Sequence, residues 1–155
     1  MTFQNIQQGD EIKKVVKSAF DVDLDISGEW GYDQENALVI HTFDGELFQL
    51  EHMLASMRAY IEMNMTVSEE NRYGAINVNE KKRDIIRKNN KVYDKIVYEI
   101  SAMPEKMYEE FIAEYKEKYE TADFDIQEHF KRRKEATIVL EKVFWFDISN
   151  TIQQI

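Results

Sequence analysis

The stretch Ala136–Ser149 constrains the fold of this chain more than any other. Ile138, Leu140, Phe144, Phe146 and Ile148 alternate with Thr137, Val139, Glu141, Val143, Trp145 and Asp147. Alternation of this kind is the period of a β-strand, whose successive side chains point to opposite faces of a sheet. In its second half both sets are apolar, so the sequence predicts a strand in the middle of a sheet.

The rest of the chain supplies partners for it. Ile12, Val15, Val16, Ala19 and Phe20 recur at i, i+3, i+4, i+7 and i+8, the stripe of an amphipathic helix, with Asp10 as its expected N-cap. Residues 22–32 then place Val22, Leu24 and Ile26 on one face and Asp21, Asp23 and Asp25 on the other, a half-buried strand with an acidic outer side. Gly28 and Gly31 interrupt its end, and residues 32–36 read as a turn into a second strand, Ala37–Thr42, so the pair is expected as a hairpin. Leu47, Leu50, Met53, Leu54, Met57 and Ile61 keep helical spacing over about 46–63. The methionines among them, with Met63 and Met65, are read as core packing rather than an adaptable groove.

Residues 64–73 lack a pattern and are expected as a flexible loop. Ile76 and Val78 start a strand that continues through the basic Lys81–Lys88, and Asn89-Asn90 suits a tight turn because Asn tolerates positive φ. Val92, Ile96, Tyr98 and Ile100 return. Pro104 opens a helix whose apolar face is Tyr108, Phe111, Ile112, Tyr115 and Tyr119, with Glu114 and Lys118 spaced for an ion pair. Asp125 with Glu128 has the form of a capping box for a short helix carrying Ile126 and Phe130.

The element order is α-β-β-α-β-β-α-α-β. It predicts an α+β fold, with an antiparallel sheet of about five strands and helices packed on one face. The βαββαβ order of residues 37–148 is that of a ferredoxin-like unit. That fold would flank the first of its strands on both sides and leave no edge for strand 22–31, so the sheet order stays open. Length and composition fit a single domain over 1–155, with residues 1–8 expected as a flexible tail. The absence of cysteine removes disulfides and thiolate metal sites and suits a cytoplasmic protein. With no apolar run approaching a spanning helix, no membrane partner is expected.

Charge is distributed in blocks. Residues 1–70 hold four basic and fourteen acidic side chains, which is the whole net charge of −10. Residues 71–103 run to +4, 104–130 to −6 and 131–155 to +2. Such blocks favour complementary docking, within or between copies, over uniform mimicry of nucleic-acid phosphates. The expected contact surfaces are Asp21, Asp23 and Asp25 on one side and Lys81, Lys82, Arg83, Arg87 and Lys88 on the other, for a protein partner or a second copy. A protective role on a strand edge accounts for the same acidic residues.

Two other readings compete with docking. Trp30, Tyr32 and Asp33, with His41, Glu51 and His52, would line an aromatic-carboxylate cleft for a small molecule or an enzyme reaction. The basic 81–95 hairpin with Tyr93 and Tyr98 would suit single-stranded nucleic acid by stacking, against which the acidic whole-chain charge argues. The His41, Asp44, Glu46, Glu51 and His52 spacing matches no metal-ligand pattern, and no glycine-rich phosphate loop or nucleophile elbow occurs. No metal, cofactor or catalytic residue is therefore expected. His129 is read as structural or exposed.

Overall fold

The computed structural model of the chain describes residues 3–7 and 9–152. Its elements in order are α1 (Ile12–Phe20), β1 (Asp25–Gly28), β2 (Leu38–Thr42), α2 (Leu47–Tyr60), β3 (Tyr73–Lys88), β4 (Lys91–Pro104), α3 (Glu105–Lys118), α4 (Ile126–Ala136), β5 (Ile138–Asp147) and α5 (Ser149–Ile152). The strands form one five-stranded sheet in the order β1-β2-β5-β4-β3. The fold is α+β, and β5 is central, as its doubly apolar pattern requires.

The sheet is mixed rather than antiparallel throughout, because β2 pairs β5 in parallel through Leu38–Phe146 and Val39–Asp147. A parallel pair needs a long connection, and here α2, the β3–β4 hairpin, α3 and α4 all lie between the two strands. The ferredoxin-like arrangement is not adopted: β5 inserts between β2 and β4, which leaves the far side of β2 free for β1. That resolves the missing edge. The β1–β2 hairpin forms, with Ile26 opposite Ile40 and Gly28 opposite Leu38.

One face of the sheet carries the core. Along β4, Asp94, Ile96, Tyr98, Ile100 and Ala102 are buried, while Lys95, Val97, Glu99 and Ser101 between them stay part-exposed. The buried set joins Ile26, Leu38, Ile40, Phe144 and Phe146, and is covered by Ile12 and Val16 of α1 and Leu50 and Leu54 of α2. Each such side chain contributes about 1.5–3 kcal/mol by leaving water. The alternate set, with Val39, Val143 and Trp145, forms the opposite, open face.

Several local expectations change. The cap position of α1 is Glu11, not Asp10, and its side chain makes no capping bond. The first strand shrinks to four residues, Asp25–Gly28; at its C-terminal end Gly28 (φ +83°) and Gly31 (φ +77°) turn the chain out of extended geometry. Residues 64–73 are not a loose loop: α2 runs on into a π-helical turn, Ile61–Met65, and the buried Asn64 Oδ1 accepts from Tyr73 N–H at 2.9 Å. Pro104 occupies the cap of α3 rather than its first turn.

Glu114 turns from Lys118 to Arg132 and His129 of α4. On α4, Asp125 does accept from Glu128 N–H (3.1 Å), but Ile126 and Phe130 stay 41% and 47% exposed, and His129 is the buried residue. In the expected tail, residues 1, 2 and 8 lie outside the described residues. Phe3 and Ile6 pack on the core, Phe3 edge-on to Tyr73 and Ile6 N–H donating to Tyr32 Oη at 2.8 Å.

Candidate functional site

Under α2 the buried surface is not wholly apolar. Glu51, Arg58 and Glu62 follow one another at helical spacings of seven and four, so they share the face that α2 and its π-helical turn press on the sheet. All three are buried to 2% exposure or less. Glu51 receives Arg83 Nη1 at 2.7 Å, and the same nitrogen bonds the buried Asp94 at 2.9 Å. Burial first, then Asp94, pushes the Glu51 carboxyl up to about 9, despite Arg83. Glu51 thus keeps its proton at neutral pH. Tyr98 beside them is held above its ordinary range by burial and by Glu51.

Arg58 plugs the sheet. Beyond its short pairing with β2, β5 has an open backbone edge, and Arg58 donates there to Val143 O at 2.8 Å and to Trp30 O at 3.1 Å. Its guanidinium lies 4.2 Å from the Phe144 ring centroid and 4.5 Å from that of Tyr32. Glu62 takes Tyr32 O–H at 2.6 Å and Lys142 Nζ at 2.9 Å. One oxygen of each carboxyl group is thus bonded, Glu51 Oε1 and Glu62 Oε2, while the buried Glu51 Oε2 and Glu62 Oε1 have no hydrogen-bond partner among the described residues.

The sequence-predicted cleft residues therefore separate. Trp30 is 1% exposed and belongs to the core. Tyr32 joins the Glu62 pair, and Glu51 the Arg83 pair. Asp33 closes a local turn by accepting Asn36 N–H at 2.8 Å. His52 is exposed, with its ring 6.4 Å from Tyr98. His41 lies on the open face, Nε2 2.7 Å from Ser27 Oγ and Nδ1 2.9 Å from Asn150 Nδ2. The trio ties β1, β2 and α5 together. Among the described residues no group of three or more His, Asp or Glu side chains could hold a metal ion.

A cleft does form on the open face, nearer the hairpin tip. Val39, Asp147 and Tyr93, register neighbours on β2, β5 and β4, are its floor; Glu29 and Glu35 rise on one side and Lys91 on the other. Its volume is about 430 Å³. An adjoining hollow of about 440 Å³ is lined by Asp33, Glu35, Lys88 and Tyr93. The acidic 29–35 turn and the tip of the basic hairpin, far apart in sequence, thus face each other within one molecule. Lys91 reaches Asp147 at 3.8 Å.

The sequence-predicted docking residues lie at the two margins of the sheet. Asp21, Asp23 and Asp25 are exposed beside β1, and Lys81, Lys82, Arg87 and Lys88 are exposed on β3, whereas Arg83 turns inward to Glu51. Between these margins the open face presents Val97 opposite Val143, then Trp145 under Lys95, and Val139 at 61% exposure. Reading the sequence for function missed Arg58, Glu62, Asp94 and the open-face stripe. Charges at apolar helix positions, and the second apolar set of β5, were the available signals. Compared with family models, curated proteins and solved structures, the chain matches none. No described helix is long and apolar enough to cross a membrane.

Proposed function

We propose that this chain is a small, acidic, non-catalytic interaction domain of the cytoplasm, which docks a protein on the open face of its sheet. The observation that carries this reading is the apolar stripe on the open face, in which Val139 is 61% exposed and Val97, Val143 and Trp145 are part-exposed. Sheets in single domains bury an apolar face against another layer, and such a stripe rimmed by polar residues is the usual form of a protein contact. The charged margins supply orientation and encounter rate more than affinity.

A photo-crosslinking residue placed at Val97 or Val139, in cells that make the protein, tests this. It should give a discrete heavier product that disappears when Trp145→Lys is added. The same label at Lys131 on α4 should give none. Monomer alone from both open-face labels, or the same products from the Lys131 control, overturns the reading.

A second reading rests on the cleft, whose volume and mixed charges suit a small polar ligand carrying both signs. Nucleic-acid binding has less support, because Tyr93 and Tyr98, the stacking candidates, are 8% and 1% exposed.

A further inference from the structure

The blocks of charge become a geometrical statement once the strand order is known. The acidic segment feeds β1 and the basic segment is β3, and these are the two outermost strands of the sheet. On the β1 side Asp21 and Asp23 share a single lysine, Lys17, at 2.9 and 3.3 Å, and Asp25 accepts from Thr42 Oγ1. Negative charge is left over. On the β3 side Lys81 and Lys82 lean on Glu99 and Asp84 at 3.4 and 3.6 Å, while Arg87 and Lys88 make no ion pair among the described residues. Positive charge is left over there.

Among the described residues β1 pairs only with β2 and β3 only with β4, so both margins keep a free backbone edge. Along β3 from Val78 to Lys88, no described hydrogen bond joins the main chain to anything but β4. An edge strand is a template for another strand, and charge is the common device that stops it. Here the device is selective. Two β3 edges repel, and two β1 edges repel, but β1 of one copy and β3 of the next attract. Such a contact is heterologous, so it repeats head to tail instead of closing on itself as a two-fold dimer does.

We propose that this chain associates with further copies of itself edge to edge, the acidic β1 margin of one molecule against the basic β3 margin of the next. This rests on the reading of the chain as an interaction domain, and it names the partner as a second copy meeting a different surface from the open face.

Charge reversal tests it on the purified full chain by sedimentation velocity. At low salt the wild type should grow with concentration without stopping at a dimer. Its association constant should fall about tenfold or more between about 50 and about 500 mM salt. Asp21→Lys, Asp23→Lys, Asp25→Lys together should abolish growth, as should Lys81→Glu, Lys82→Glu, Arg87→Glu, Lys88→Glu together. An equimolar mixture of the two variants should recover it, because their margins are complementary again. If either reversed variant loses its circular-dichroism signature, the Asp→Asn and Lys→Gln sets replace it. These should weaken association, with no recovery on mixing.

A wild type that stays monomeric at low salt, a closed dimer, or a mixture that stays monomeric overturns the proposal. Association that survives both reversals but is lost in Trp145→Lys overturns edge pairing and leaves the open-face reading standing. Loss of the Val97 and Val139 crosslinks with edge growth intact does the reverse.

Discussion

Glu51 is the residue whose environment departs furthest from water. It has no exposed surface, and it faces Arg83 of β3 and Asp94 and Tyr98 of β4. Its folded-state value of about 9 lies above that of an unfolded glutamate, about 4.3. The folded chain therefore keeps a proton that the unfolded chain releases. The stabilisation is complete below the unfolded value and is lost as pH rises through about 9, at up to about 1.4 kcal/mol per pH unit in between. Glu51→Gln, which keeps the shape and cannot ionise, should flatten that decline. Urea unfolding of both proteins at about pH 5, 7 and 9 checks it, and parallel pH profiles would remove the assignment. Glu51 stood out in the sequence, but with His41 and His52 as companions. Its true partners, Arg83 and Asp94, lie 32 and 43 positions away, and no local pattern announces a contact across a strand. The spacing to Arg58 and Glu62 was legible, because helical periodicity needs no tertiary knowledge.

At the scale of elements, local chemistry and long-range pairing part company in the same way. Asn89 and Asn90 take φ of 52° and 64°, so the β3–β4 turn is the one their residue types favour. The parallel β2–β5 pairing has no such marker, since it depends on where α2 and the α3–α4 connection set the chain down. One glycine shows how that meeting is secured. Gly31 O accepts from Trp145 N–H at 2.7 Å, which extends the edge of β5 just before β2 takes over. A Cβ on Gly31 would sit 2.5 Å from both Phe144 Cδ1 and Trp145 O, and its φ of +77° disfavours any L side chain. Gly31→Ala should cost about 2 kcal/mol or more in urea unfolding. Gly9→Ala, with nothing within 4 Å of the new Cβ, is the control and should be near neutral. Equal effects at the two positions would mean that the close approach of this loop to β5 carries no weight.

Across the whole molecule, the sheet and the α3–α4 hairpin are held by different means. The sheet buries apolar residues along every strand, whereas α3 buries only Phe111 and α4 only His129. Around His129 stand Phe111, Tyr115, Phe124 and Phe130, all from the hairpin itself. Glu114 joins the two helices through His129 Nδ1 and Arg132, and these bonds, Arg132 first, hold its carboxyl down to about 2. A carboxyl held below its unfolded value stabilises above that value, and the effect is lost as pH falls through about 2. The hairpin should thus loosen in acid, whereas the Glu51 seam weakens toward alkali. Regions with few buried contacts open in their own cooperative units. Hydrogen exchange should therefore show amides of 105–136 losing protection before those of β4 and β5. As pH falls from about 4 to about 2, that gap should widen after correction for intrinsic exchange. Glu114→Gln should reproduce the early opening at neutral pH without moving β4 or β5. Simultaneous loss of protection in hairpin and sheet would instead make the fold one cooperative unit, with the Glu114 bridge as one bond among many.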